Sequence, residues 1–300
     1  MQRSLLGLRR SIARFTSHLI LQSLEFAMRD SQPDADGPRQ DVLPGGLAGT
    51  AVVAGLKIVS YVINLDRSID RWHHIRDQAN RLGLVVERVA GVDAQKIGPL
   101  EQLNYNKKAF VRGNGRPMLP QEHGCYLAHL KALQTFLASD AQCAVIMEDD
   151  VELAGDLFDR VKAIHETAPY ADVTKLLNHR AVMFRKTAQT TAGDLIGKCA
   201  FGPQGSAACY LVTRQGAEQL LIALREIRFP FDIALERAWA TKVRVYTVKD
   251  NVLNLSVRAL DSQIADRARY RSIKLRGYKR IPTHIFRVVE LVRRVKYSLT

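Results

Sequence analysis

"LKIVSYVINLDRSIDRWHHIRDQANRLGLVVERVAGVDA", residues 56–94, decides the fold. Its first ten residues are mostly β-branched or aromatic, which predicts a strand. Trp72, Ile75, Ala79 and Leu82 then fall on one helical face, and Gly83 supplies the C-terminal stop. "LVVERVAGVDA" (84–94) is a second strand. Strand, helix and strand in that order predict a mainly parallel sheet with helices on its faces.

The same alternation continues downstream. Residues 98–119 lack a clear period and carry several Gly and Asn, so a loop is expected there. Pro120 opens a helix to about Ser139, with Cys125, Leu130, Leu133 and Leu137 expected inward. "CAVIMEDD" (143–150) is the next strand, ending in three acids. "GSAACYLVT" and "RQGAEQLLIALREI" predict a further strand and helix, "FPFDIALERAWA" a helix entered through Pro230, and "KVRVYTV" a late strand.

Three hundred residues with 47 % hydrophobic and 25 % charged content suit a globular chain. No uncharged apolar run reaches the length of a membrane-spanning helix. Cys125, Cys143, Cys199 and Cys209 show no metal-binding spacing and are expected as buried free thiols. The net charge of +14 sits at the ends: residues 1–24 hold four Arg and no acid, and residues 256–300 hold twelve Arg or Lys against Asp261, Asp266 and Glu290. An apolar stripe runs through Leu5, Leu8, Ile12, Phe15 and Leu19, followed by a Pro-, Gly- and Asp-rich linker. Three regions are therefore expected: a basic amphipathic extension with its linker (1–55), a catalytic domain (56–255) and a basic, helical C-terminal extension (256–300). Basic ends favour an anionic surface, whether nucleic acid or a bilayer. Confinement of the charge to the ends, without a recognised nucleic-acid module, argues against a nucleic-acid-binding protein. In residues 270–299, aromatic and aliphatic residues interleave with Arg and Lys, the pattern of a membrane-surface helix or of a solvated tail.

Two constellations carry candidate chemistry. Glu148 and Asp150, at i and i+2 of a strand-end turn, are placed to share a hard divalent cation such as Mg²⁺ or Mn²⁺; a solvated strand end is the alternative. Ligands of open α/β sheets bind beyond the carboxyl ends of the strands, where these acids lie. Asn64 and Asp66 end the first strand, with Arg67 and Arg71 on one face of the helix behind them. That set suits either a nucleotide phosphate or a plain Asp–Arg capping arrangement.

The ordered set "VINLDRSIDR", "RVAGVDA", "LPQEHGCYLAHLKAL", "VIMEDD", "GSAACYLVTRQGAEQLL" and "PFDIAL" resembles glycosyltransferase family 25 from about residue 58 to 250. The resemblance implies a GT-A, Rossmann-like α/β fold that binds a UDP-sugar, usually UDP-galactose. It implies a metal site at Glu148, Asp149 and Asp150, and a lipopolysaccharide-core or similar glycan as acceptor. One departure is visible: Ala128 precedes His129 where the family pattern expects a serine. Glu122 and His129 then stand as candidate contacts to acceptor or donor sugar, and Asn64, Asp66, Arg67, Arg71, Asp149 and Ser206 as candidate nucleotide-sugar contacts. Asp150, with Glu148, is the expected metal ligand. Asp232 is the candidate base of an inverting transfer, with Glu236 one turn on; a helix-dipole carboxylate is the alternative. Residues 205–208 are small enough to admit a donor sugar or simply to pack tightly. Such an enzyme is expected in the cytoplasm, peripheral on the inner face of the membrane. An inactive carbohydrate-binding relic of the fold is the remaining alternative, which the retained acids argue against.

Overall fold

A computed structural model describes the backbone of residues 50–53, 56–96, 104–256 and 267–300, and the side chains of 56–96, 104–256 and 270–300. The expected N-terminal amphipathic stripe lies outside the described residues, and the end of the expected linker, Thr50–Val53, is instead a strand antiparallel to the one that follows it.

Eleven strands are described: β1 (Thr50–Val53), β2 (Leu56–Asn64), β3 (Glu87–Ala90), β4 (Cys143–Glu148), β5 (Val151–Glu152), β6 (Val173–Lys175), β7 (Phe184–Gln189), β8 (Leu195–Cys199), β9 (Cys209–Thr213), β10 (Val245–Val248) and β11 (Asn254–Leu255). Nine form one sheet in the order β1-β2-β4-β9-β6-β10-β8-β7, with β3 also on β2. β3, β2 and β4 run parallel, as do β6 and β10; β9 runs antiparallel between β4 and β6, and β8 antiparallel to β10. The two short strands β5 and β11 pair separately, just beyond the acids.

The apolar run of β2 is continuous because both faces of the sheet are covered. Ile58 and Val62 point to one face, where α1 (Ile69–Leu82) brings Ile75 and Ala79, and α4 (Leu157–Thr167) brings Leu157, Val161 and Ile164. Val59, Tyr61 and Ile63 point to the other, against Tyr126, Leu133 and Phe136 of α3 (Pro120–Ala138). The first βαβ unit thus forms as its periodicity predicts, with Gly83 in the left-handed region at φ 67° as the C-cap of α1.

Three local expectations change. Part of the expected loop is a helix, α2 (Lys107–Asn114): the Asn106 side chain caps its start, Gly115 ends it at φ 69°, and Phe110 is fully buried. Helix α3 buries Glu122, Tyr126, His129, Leu133 and Phe136, while Cys125, Leu130 and Leu137 are half-buried. A helix pressed between the sheet and α5 (Arg214–Ala223) is covered on more than one side, so a single apolar stripe misplaces its inner face. The helix after Pro230 breaks into α6 (Phe231–Leu235) and α7 (Ala238–Thr241), because Glu236 turns inward between them.

The chain continues through α8 (Arg267–Ser272) to α9 (Ile281–Leu299). Helix α9 lies against the body: Phe286 stacks on Phe229 at 5.8 Å, the Tyr297 hydroxyl bonds the backbone of Val245, and Arg237 and Trp239 donate to Glu290. The four cysteines are free thiols. Among the described residues no helix is long and apolar enough to cross a membrane.

Candidate active site

The carboxyl ends of β2 and β4 are adjacent in the sheet, so the two sequence constellations meet there. Asn64, the last residue of β2, is buried and fully engaged. Its amide donates to Asp149 at 2.6 Å and to the Ser68 carbonyl at 2.9 Å, and its oxygen accepts from Arg88 at 2.8 Å. Arg71, one turn into α1, donates to the other oxygen of Asp149 at 3.0 Å. Asp149 is thereby held on both oxygens. Asp66 accepts from Arg88 at 2.6 Å, and Arg67 pairs with Asp93.

The opposite wall is built by close approach of backbone. Gly91 donates to the Asn64 carbonyl, and a side-chain carbon at Gly124 would stand 2.4 Å from the Val92 carbonyl oxygen. Glycine at 124 lets α3 seat directly on the 92–94 segment. The resulting cleft is partly open to solvent, with about 110 Å³ of space between its walls. Arg67, Ser68 and Arg71 line one side, Gln121, Cys125 and His129 the other, and Glu148, Asp149 and Asp150 the floor.

The three acids differ in their surroundings. Asp150 has a buried carboxylate oxygen with no hydrogen-bond partner. Burial first, then the charges of Glu148 and Asp149, pushes its pKa up to about 7. An orphaned carboxylate oxygen beside two further acids is costly unless a proton or a cation compensates it. Glu148 is oriented by His129, 3.3 Å from its Oε1; the Nδ1 atom of His129 lies 3.3 Å from the Tyr210 hydroxyl. Both contacts are satisfied when Tyr210 donates to Nδ1 and Nε2–H donates to Glu148. Phe231 stacks on the His129 ring at 4.1 Å with the planes 2° apart, which fixes α6 against α3.

Among the described residues one group of three possible ligands draws its donor atoms together, and it includes Glu148 but neither Asp149 nor Asp150. Donor atoms of Cys125, His129 and Glu148 all lie within 4.8 Å of one another. Burial first, then the charges of Glu148, Asp232, Glu122 and Asp150, pushes the Cys125 thiol well above its ordinary pKa, so it is neutral and a poor ligand for a hard cation. Glu148 and Asp150 are oxygen donors of the kind Mg²⁺ and Mn²⁺ prefer, and the orphaned oxygen of Asp150 fits such an ion.

Asp232 lies in the first turn of α6; it is not among the residues that line the cleft, and the charged groups that act on it are Glu236, Lys175 and Glu122. Deeply set yet still touching solvent, it has its pKa pushed up to about 6 by burial first and then by Glu236. Glu236 is fully buried and saturated: it accepts from Lys175 at 2.8 Å, from Arg294 at 3.0 Å, and from the backbone of Gln204 and Gly205 at 2.9 Å each. Burial raises its pKa, but Lys175 and Arg294 outweigh that and hold it below the ordinary value. Glu122 is similarly engaged by Arg116, by the Leu119 backbone and by the Tyr270 hydroxyl. Ser206 sits in the left-handed region at φ 64°, its hydroxyl accepting from the backbone of Ala208.

The structure thus gathers Arg67, Arg71, His129, Glu148, Asp149 and Asp150 into one cleft, with Asn64 behind Asp149. Glu122 and Glu236 are turned to protein partners. Sequence reasoning passed over Arg88, Lys175, Tyr210 and Arg294. The first two were signalled only as lone cations in apolar strands, "VVERVAG" and "DVTKLL". A family model described as "Glycosyltransferase family 25 (LPS biosynthesis protein)" matches residues 57–235. A curated relative from Aedes aegypti, "Glycosyltransferase 25 family member", is 29 % identical over 96 residues, which cover 30 % of this chain and 16 % of the relative. The matched segment is thus a small part of that relative's length.

Proposed function

The chain belongs to glycosyltransferase family 25, and from that premise we propose that it is a metal-dependent, inverting hexosyltransferase. Its donor in this reading is a UDP-hexose, with galactose the favoured sugar. Its acceptor is a lipopolysaccharide-core or similar glycan, a choice supported by the wording of the matched family. A lipid-linked acceptor puts the enzyme at the inner face of the cytoplasmic membrane, which suits its basic segments. The observation that carries the reading is the orphaned, buried oxygen of Asp150 among three acids at the carboxyl end of β4.

In the proposed reaction the acceptor hydroxyl attacks the anomeric carbon from the face opposite the nucleotide. The bond between that carbon and the diphosphate oxygen breaks, and UDP departs with the electron pair. Asp232 takes the hydroxyl proton; a carboxylate with a pKa pushed up to about 6 is a competent base near neutrality. Glu148 and Asp150 would hold a divalent cation, which when bound supplies charge neutralisation for the departing diphosphate. Asn64 and Arg71 are positioning residues, fixing Asp149 and with it the turn that presents Asp150. Arg67 and Arg71, paired with Asp93 and Asp149, line the cleft on the side assigned to the diphosphate. Glu236 is also a positioning residue: through the backbone of Gln204 and Gly205 it sets the small-residue segment ahead of Ser206.

A thermal-shift panel of UDP-sugars with and without Mn²⁺ tests donor class and metal together. Asp150→Asn gives the sharper result. It relieves repulsion among three half-buried acids, so with chelator present the variant should melt above the wild type. It should also lose both Mn²⁺-dependent stabilisation and turnover. Turnover that survives in Asp150→Asn, or in wild type under chelation, would remove the metal from the mechanism.

A further inference from the structure

The outward face of α9 is apolar. Ile281, Ile285, Val288, Val292 and Leu299 recur at helical spacing along one side, and Ile285, Val288 and Val292 are 61 %, 61 % and 63 % exposed. Helix α9 cannot roll to hide them. Its other side is fixed to the body by the buried Thr283, Arg294 and Ser298, by Phe286 on Phe229, and by Glu290 under Arg237 and Trp239. Residues 278–299 supply half of the large apolar side chains that stand exposed among the described residues. A stripe this continuous on a docked helix indicates a contact surface.

Its charge selects the partner. Residues 270–300 hold nine Lys or Arg and a single acid, Glu290, which is turned inward. Lys274, Arg276 and Lys279 are exposed on the turns leading into the helix, and Lys296 flanks the stripe. Tyr278, 77 % exposed, stands beside Lys279. We propose that this face rests on an anionic lipid bilayer, with Ile285, Val288 and Val292 among the acyl chains and the lysines and arginines at the headgroups. A second copy seated on the same face would bring these cations against each other. The apolar stripe of residues 5–19 would do likewise, because Arg9, Arg10 and Arg14 accompany it. An anionic bilayer satisfies both the stripe and the charge. The inference deepens the reading above and rests on it for the lipid-linked acceptor, but the binding itself needs no transfer chemistry.

The test is co-sedimentation of the full chain with vesicles of phosphatidylcholine alone or of equal phosphatidylcholine and phosphatidylglycerol, alongside UDP-galactose turnover with a soluble acceptor. The wild type should bind the anionic vesicles and not the neutral ones. The triple variant Ile285→Asp, Val288→Asp, Val292→Asp should lose at least about tenfold in vesicle partitioning, with melting temperature and turnover unchanged. Lys279→Glu with Lys296→Glu, which leaves the stripe intact, should weaken binding in the same direction. Undiminished binding by the triple variant would overturn the proposal, as would absence of wild-type binding or a wild-type dimer that the variant dissolves. A lower melting temperature in the triple variant would also overturn it, by showing that the stripe is packed in solution. Should vesicle binding follow the expected pattern while no UDP-sugar is turned over, the transferase reading fails and the docking face stands.

Discussion

Glu236 and Asp232 lie four residues apart, and their neighbours give them opposite characters. Glu236 holds two buried cations and two backbone amides, so its charge is compensated on every side. Glu236→Ala would leave Lys175 buried without its anion, and a loss of about 3–5 kcal/mol is expected from the urea midpoint. Asp232 has no such cationic cage, and burial leaves its pKa raised to about 6. A base must be unprotonated to act, so turnover should rise from pH 5, pass half-maximum near pH 6 and level off above pH 7. Asp232→Asn should flatten that rise and lower the rate by about 10²–10⁴-fold, as a pH–rate series would show. A profile unchanged by the substitution would move the base elsewhere.

At the scale of elements, the seat of α3 on residues 92–94 shapes one wall of the cleft. Gly124→Ala would place a methyl carbon 2.4 Å from the Val92 carbonyl oxygen, closer than any real contact, so helix and segment must part. Lower melting temperature and weaker UDP-sugar binding are expected together; a loss of stability with donor affinity intact would detach that wall from the site. The same scale explains what was legible in the sequence. The β2-α1-β3 unit reads directly because its signals are local: a β-branched run, one helical face, and Gly83 as the stop. The acids and Arg71 also read, because each sits within a few residues of a strand end. Helix α2 did not, since Phe110 is its one fully buried apolar side chain and only Asn106 and Gly115 mark its limits. The cage of Glu236 was beyond local reading, because Lys175 lies 61 residues before it and Arg294 58 residues after it.

Across the whole molecule, antiparallel β9 between β4 and β6 brings distant segments to the acid floor. The backbone of Glu148 donates to the Ala208 carbonyl at 2.9 Å, so the small-residue segment ends beside the candidate metal ligands. Helix α9 secures that arrangement from the far side. A chain ending at residue 280 would uncover Phe229, Trp239 and Val245 and strip Arg294 from Glu236. It is expected to aggregate on expression rather than yield a folded body, and circular dichroism of any soluble fraction would check this. The contact between Arg294 and Glu236 also sets a clock. At about 5–20 residues per second, the ribosome adds Arg294 roughly 3–12 s after Glu236. For that interval the nascent chain carries a carboxylate meant for the interior with only one of its two counter-ions made, and the fold around the site cannot close before Arg294 follows.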